Sequence, residues 1–317
     1  MNYQVLHYTS LALVVALPAL GVGIGQGFSC LAAVRAINRQ PGAQKEIGRV
    51  LFIGMAFIET AAVISMFGAI LLLKSPTTPI TIWAQLGIVA AIAVPGLVIG
   101  IGSALPVYQA MASIARQPFF GGKIMNIMLI SQSVIQTPII FGLIMGAIIY
   151  SQLNSIVTTP QSIKLLASGL AMGLGSIGPT IGLSYFAQEV CRSVGLNRSA
   201  YRQLLSFTFL SQALIETPIL FALIIALLLS YLPITIGASV VASAAFIAAA
   251  CTIGLSTLGA GISSGRTAVA ACKQIALKPE LYNVLSRSSL LGQTLIDTCT
   301  IYGLIIALIL ILTRAAS

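Results

Sequence analysis

Eight long apolar stretches constrain this chain more than any other feature. They fall roughly at 8–36, 48–73, 82–113, 125–150, 163–192, 204–230, 238–272 and 286–312. A helix needs about 20 apolar residues to cross the hydrocarbon core of a bilayer, and each stretch is long enough. The scarcity of charge says the same. Only 16 Lys and Arg and 6 Asp and Glu are spread over 317 residues. A soluble protein covers its surface with charged groups at about a quarter of its positions; at 7% this chain has to face lipid. High apolar content with low charge also excludes disorder. The expectation is an all-α integral membrane protein with eight transmembrane helices.

Several function classes drop out. The net charge is +10, but the basic residues are dispersed and no aromatic-basic stripe accompanies them, so no nucleic-acid partner is implied. The five cysteines, Cys30, Cys191, Cys251, Cys272 and Cys299, lie in apolar stretches without a C-x-x-C, and His7 is the single histidine. Neither a zinc site nor a disulfide framework is expected, and no metal or cofactor. The first twenty residues lack a basic start and belong to a repeat, so they read as part of the mature protein. No nucleophile–base pair and no phosphate loop is present, so the chain is expected not to be an enzyme in its own right.

Alternate stretches are joined by short polar turns that begin Ile37-Asn38-Arg39-Gln40-Pro41, Ala115-Arg116-Gln117-Pro118, Gly195-Leu196-Asn197-Arg198 and Ala276-Leu277-Lys278-Pro279. The other connections, around Pro76–Thr81, Ser151–Pro160 and Pro233–Gly237, carry almost no charge. Aligned on the polar turns, the chain repeats. Twenty residues after Arg39, Arg116, Leu196 and Leu277 come Glu59, Gln136, Glu216 and Asp297, each followed by a threonine: Thr60, Thr137, Thr217 and Thr298. The local words are F-I-E-T, V-I-Q-T, L-I-E-T and L-I-D-T. The unit is a helical hairpin of about 80 residues, present four times in one orientation, at 1–76, 77–157, 158–236 and 237–317.

Basic residues orient the hairpins. All but Lys74, Lys164 and Arg314 lie in or beside the four polar turns. The turns are therefore expected on the cytoplasmic side, with both termini on the other. The first helix of each hairpin is rich in small residues: Gly21, Gly23, Gly25 and Gly27; Gly96, Gly100, Gly102 and Ala104; Gly173, Gly175, Gly178 and Gly182; Gly254, Gly259, Gly261 and Gly265. Glycine costs about 1 kcal/mol in a helix relative to alanine. In lipid the return is close backbone approach. Ordinary small-residue pairing is one reading; glycine density in all four units points instead to a crowded inner ring of helices.

Of the six acids, Glu46, Glu189 and Glu280 lie at or near the polar turns, whereas Glu59, Glu216 and Asp297 sit mid-helix. A charge at that depth costs several kcal/mol, so each carboxyl has to be protonated or hold a cation when it faces lipid. Recurrence at one offset, with no basic residue at similar depth, reads as a reversible ion carrier rather than a hydrogen-bonded pin between helices.

A glycine-rich helix, an Arg-Gln-Pro turn and a Glu twenty residues later resemble the c subunit of F-type ATP synthases, the rotor-ring proteolipid. The first hairpin, GVGIGQG…RAINRQP…FIETAAV, carries the pattern throughout; the second keeps A-R-Q-P; the third and fourth keep the carboxylate and spacing. The chain thus looks like four fused copies. Fused hairpins also occur in the related V-type proteolipids. The resemblance implies an oligomeric ring that carries ions past the stator, whose arginine lets the acid ionise, and that docks on the central stalk and couples this passage to ATP synthesis. By position, Glu59, Glu216 and Asp297 would be the carriers. Arg39, Gln40 and Pro41, with Arg116, Gln117 and Pro118, would face the stalk.

Gln136 departs from the pattern. An amide exchanges no proton near neutral pH, so the second hairpin is expected to be silent. It is either a spacer or a unit whose amide makes a needed hydrogen bond. The ion is read as a proton. Gln26, with Glu59 and Thr60, resembles the family's sodium-binding pattern, but the matching positions elsewhere are Ser103, Leu183 and Ser264, and leucine ligates no cation. Thr217, Thr298 and Tyr302, five after Asp297, are further supporting residues on this resemblance. Sodium transport and a V-type ATP-driven pump remain the alternatives. A secondary transporter is disfavoured, because its repeats are commonly inverted. Pro138 and Pro218 each follow the carrier position by two and leave the carbonyls of Val134 and Leu214 without a helical donor. The Leu214 oxygen either serves Glu216 on its own helix or the proline is a simple kink.

Overall fold

The computed structural model describes residues 3–233 and 240–315. Among the described residues every regular element is helical. The first hairpin is α1 (Tyr3–Arg39) and α2 (Gln44–Leu73); the second is α3 (Ile82–Gly102), α4 (Ala104–Arg116), α5 (Gly121–Ile135) and α6 (Thr137–Gln152). The third is α7 (Thr159–Leu196) and α8 (Tyr201–Tyr231), and the fourth α9 (Val240–Leu277) and α10 (Tyr282–Ala315). Among the described residues eight spans are long and apolar enough to cross a membrane, α3–α4 and α5–α6 counting as one each. This is an integral multi-pass membrane protein built as four tandem hairpins. Beyond Pro233, the connection expected at Pro233–Gly237 lies outside the described residues.

The second hairpin differs from the expectation of two unbroken helices. Its helices are interrupted at Ser103 and at Gln136. Pro106 and Pro138 stand three and two residues further on, and neither has an N–H to bond the carbonyl four back. The other helices carry Pro18, Pro179 and Pro218 without interruption.

All four polar turns are built alike. A single 3-10 turn follows each first helix, at Pro41–Ala43, Pro118–Phe120, Arg198–Ala200 and Pro279–Leu281. The backbone N–H of Ala43 donates to Gln40 O at 3.1 Å and that of Phe120 to Gln117 O at 3.0 Å. Proline suits the first position because its missing N–H would have had no partner there. In the third turn Leu196-Asn197 stands where the first two have Arg-Gln, and the Asn197 Nδ2 donates 2.8 Å to Ala276 O of the next hairpin.

The helices form two rows. In the first row α1 packs on α3 and α4, these on α7, and α7 on α9. In the second, α2 contacts α5 and α6, α6 contacts α8, and α8 contacts α10. Glycine sets the spacing of the first row. A Cβ on Gly25 would overlap the Gly100 carbonyl oxygen, and one on Gly182 the Gly261 carbonyl oxygen. Two columns alternate along each first helix. Gly21 and Gly25 meet the following hairpin, as do Gly102, Gly178 and Gly182, whereas Gly100, Gly261 and Gly265 meet the preceding one. Residues two apart on a helix point about 200° apart, so one helix presents glycine to both neighbours. At the ends of the row Gly23 and Gly27 on α1, and Gly259 on α9, have nothing within 4 Å.

Polar side chains tie the ends of the spans. Glu189, 7% exposed, lies 3.7 Å from Arg192 and 3.9 Å from Lys273 of α9 near the polar turns. It is thus a buried ion-paired group rather than an open turn acid. At the opposite end the buried Lys164 ammonium donates to the carbonyls of Ser230 at 3.3 Å and Leu232 at 2.6 Å, closing the C-terminus of α8.

Candidate ion-carrier sites

The repeat brings the four carrier positions to equivalent places on α2, at the α5–α6 break, on α8 and on α10. Gln136 and Glu216 lie where their own hairpins meet the preceding ones. Gln136 shows the arrangement in full. It is 6% exposed. Its Nε2 donates to Phe57 O at 2.9 Å and to Ser103 Oγ at 3.2 Å. Its Oε1 lies 2.9 Å from the Thr60 hydroxyl, whose single proton is shared with Phe57 O at 2.6 Å. The amide therefore has partners for both donors and for its oxygen, most of them from hairpin 1. Of the two readings of Gln136, the one with a specific hydrogen bond matches this geometry.

The interface between hairpins 2 and 3 repeats the pattern. Glu216 is half-buried and hydrogen-bonds Thr137, the residue that corresponds to Thr60. At the third interface the contact is not closed. Asp297 is 7% exposed, and its Oδ1 has no hydrogen-bond partner among the described residues. Thr217 bonds back to Ala213 O at 3.0 Å instead. Asp is one methylene shorter than Glu, which reduces its reach toward α8. Glu59, by contrast, is exposed.

The supporting residues thus group differently from their order in sequence. Thr60 sits with Gln136 of the next hairpin, not with Glu59 beside it. Thr298 is half-buried and bonds its own Leu295 O at 2.7 Å. Tyr302 is 66% exposed and away from Asp297; five residues turn a helix by about 140° beyond a full circle. It shares a face with Thr298, four residues earlier. Gln26 is half-exposed on α1, the same terminal hairpin as Glu59.

Two features escaped the sequence reading. One is the Phe57 carbonyl, since a backbone atom leaves no trace in residue types. The other is a glutamine four residues before the carrier position, at Gln132, Gln212 and Gln293, with Met55 in the first hairpin. Its repetition was the available signal. Gln132 Nε2 donates to Ser103 O at 3.0 Å, and Gln293 joins Ser211, Ser264 and Ser289 at 3.1–3.4 Å. Gln212 is buried with neither amide atom partnered among the described residues; its hairpin has Leu183 where the second and fourth have Ser103 and Ser264. Among the described residues no group of His, Cys, Asp or Glu is placed to hold a metal ion.

Comparison with known proteins follows the repeat. The family model for the ATP synthase C subunit matches residues 10–72, 166–229 and 247–310. These segments hold Glu59, Glu216 and Asp297. Similar proteins include ATP synthase c-subunit 2 of Cereibacter sphaeroides, 40% identical over 70 residues, 22% of this chain and 84% of that protein. The ATP synthase c subunit of Dehalococcoides mccartyi is 41% identical over 69 residues, 22% of this chain and 91% of its own length. That of a Synechococcus species is 44% identical over 71 residues, 22% and 87% respectively. With a family model that matches three times over and relatives covered nearly whole by one hairpin, this chain belongs to the ATP synthase C-subunit family.

Proposed function

We propose that the chain is the rotor-ring c subunit of an F-type ATP synthase and carries protons by reversible protonation of Glu59, Glu216 and Asp297. The observation that carries this reading is the equivalence of the sites. Three carboxyls and one amide occupy the same register, and Gln136 and Glu216 bond to the preceding hairpin. A carboxyl so placed is shielded within the array and meets a passing stator at the array's outer edge. Gln136 is the silent fourth position, an amide that never ionises and holds hairpins 1 and 2 together. The chain performs no catalysis itself; it transmits ion passage to the rest of the synthase.

Ring closure supplies what the terminal hairpins lack. Glu59 and Gln26 stand on the α1–α2 edge of the row, and Thr298 and Tyr302 on the α9–α10 edge. In a ring of such chains, Thr298 of one copy takes the place toward Glu59 of the next that Thr60 takes toward Gln136. The oxygens gathered there favour sodium as a second reading, while the buried Leu183 at the third hairpin favours protons at sites that have to carry the same ion. The polar turns, with Arg39, Gln40, Pro41, Arg116, Gln117 and Pro118, are assigned to the cytoplasmic side and to the central stalk, and both termini to the other side. An arginine of the stator supplies the charge that lets each acid ionise.

Carbodiimide labelling of membranes, mapped by peptide with and without sodium, tests the assignment. Labelling at Glu59, Glu216 and Asp297 that sodium leaves unchanged is the expected result. Protection by sodium would move the assignment to a sodium ring, and reaction only at Glu46, Glu189 or Glu280 would refute the carriers.

A further inference from the structure

At the end of the spans opposite the polar turns, the fold buries a charge. Lys164 is 7% exposed. An ammonium has three protons to donate, and two of them go to the carbonyls of Ser230 and Leu232 at the end of α8. Carbonyls carry only partial charge, and no carboxylate answers the lysine. All six acids lie mid-helix or near the polar turns. A buried charge without a counter-charge is costly. The equivalent positions in the other hairpins are His7, Ala84 and Ala245, so a lysine stands here in hairpin 3 alone.

The third proton has a space to point into. Lys164 lines a cavity of about 430 Å³ between the end of α6, the start of α7 and the end of α8. Gln161 lines it too. Its Oε1 already accepts the backbone N–H groups of Val157 at 2.8 Å and Thr158 at 3.2 Å, which leaves its Nε2 as a donor. A cation and an amide N–H on one cavity, with no acid beside them, suit an anion. The lining falls at 152–165 and 230–233, where the apolar spans end. That is the level of lipid headgroups. Tyr231, 67% exposed, stands there, as aromatic residues do at membrane interfaces. An apolar groove of about 420 Å³ adjoins the cavity. Ile224, Leu227 and Leu228 line it, and it shares Tyr231, Leu232 and Pro233 with the polar cavity. Seven residues separate Ile224 from Tyr231, about 10 Å along a helix, so the groove runs from headgroup level into the hydrocarbon. A polar cavity that opens on an apolar groove matches a phospholipid better than a free anion.

We propose that hairpin 3 carries a phospholipid site on the face opposite the polar turns: the headgroup phosphate meets the Lys164 ammonium and the Gln161 amide, and an acyl chain lies along the α8 groove. The phosphate supplies the negative charge that this end of the chain lacks. One such lipid is held per chain, between hairpins 2 and 3. The site is independent of which ion the carriers move.

The test uses the full chain in its assembled form, reconstituted into phosphatidylcholine nanodiscs with and without phosphatidylglycerol and then extracted in mild detergent. Native mass spectrometry counts the phospholipids that each chain keeps, and titration with phosphatidylglycerol gives an apparent Kd. Lys164→Gln removes the charge but keeps two N–H groups for Ser230 O and Leu232 O. It should weaken binding about tenfold or more, the size of a lost charged hydrogen bond. Lys74→Gln, at an exposed lysine on the same side, should change nothing. Tyr231→Ala alters an exposed wall shared by cavity and groove and should weaken binding severalfold; it carries the test if Lys164→Gln fails to fold. Inorganic phosphate added to the delipidated chain should not be retained, since the groove contributes nothing to it. Equal affinity in the parent and Lys164→Gln would overturn the proposal. An equal loss in Lys74→Gln would do the same, because it would mark a general attraction of anionic lipid to the basic surface. Inorganic phosphate held as tightly as the lipid would overturn the assignment to a phospholipid.

Discussion

Filling Gly23 and Gly27 with alanine separates folding of the chain from closure of the ring. A Cβ added at either glycine meets no other part of the chain within 4 Å, so the double variant disturbs nothing inside one copy. The inner interfaces show what it does between copies. Gly100 and Gly261 occupy the place of Gly23 in later hairpins, and Gly265 that of Gly27. A Cβ on Gly100 would sit 2.6 Å from the Gly21 carbonyl carbon, and one on Gly265 2.6 Å from the Gly182 carbonyl oxygen, where ordinary contact begins at 3.4 Å. If α9 of one copy meets α1 of the next as α7 meets α9, each added methyl has to be relieved by about 0.9 Å of separation or more, set by Val22 N at 2.5 Å from the Gly100 position and by Gly182 Cα, nearer still, at Gly265. Overpacking of this kind costs about 1–3 kcal/mol per site. Two sites amount to about 2–6 kcal/mol per seam, at least roughly a 30-fold loss in association. The assay compares thermal unfolding of the detergent-solubilised chain with the yield of closed rings on native gels and by electron microscopy. Unchanged unfolding with a strongly reduced ring yield is expected. Gly25→Ala, which strikes the Gly100 backbone, should instead lower the stability of the chain itself. Rings at the parent's yield would refute the seam geometry, as would a chain destabilised as much as by Gly25→Ala.

Gln136→Glu should add a fourth carbodiimide-reactive position while keeping the chain folded, because the neutral acid still donates to Phe57 O and the Ser103 and Thr60 hydroxyls can donate to it. Peptide mapping reads the outcome; an unreactive residue 136 in a folded chain would contradict the equivalence of the four positions. Glu216→Gln should abolish labelling at that site and leave Glu59 and Asp297 reactive, with proton passage through the assembled synthase falling sharply. Lys164→Met should cost about 1.5–3 kcal/mol through the lost charged hydrogen bonds at the end of α8, measured as a lower unfolding midpoint and faster hydrogen exchange near Ser230 and Leu232.

Much of the fold was legible because membrane insertion is recorded in one dimension. Eight apolar stretches, turns marked by Pro and Arg, and a carboxyl or amide twenty residues on are periodic in sequence, and periodicity survives without coordinates. The breaks at Ser103 and Gln136 were harder to read. Pro138 lies near one break, but Pro218 occupies the same relative position in an unbroken helix. The glutamines at 132, 212 and 293 were visible as a repeat, yet only packing showed that Gln132 and Gln293 found serine partners while Gln212, opposite a leucine position, did not.

By itself the sequence determined that the chain lies in lipid, that it comprises four hairpins, and that three of them carry a mid-helix acid. Scarce charge and a strict offset leave little choice. The tertiary structure decided whom each group serves. Thr60 is the neighbour of Glu59 in the chain but the partner of Gln136 in the fold, because successive residues on a helix turn by about 100° and point to different hairpins. The sites therefore belong to interfaces, and an interface between residues almost eighty apart is fixed only when backbones close on glycine and bring the two helices into register.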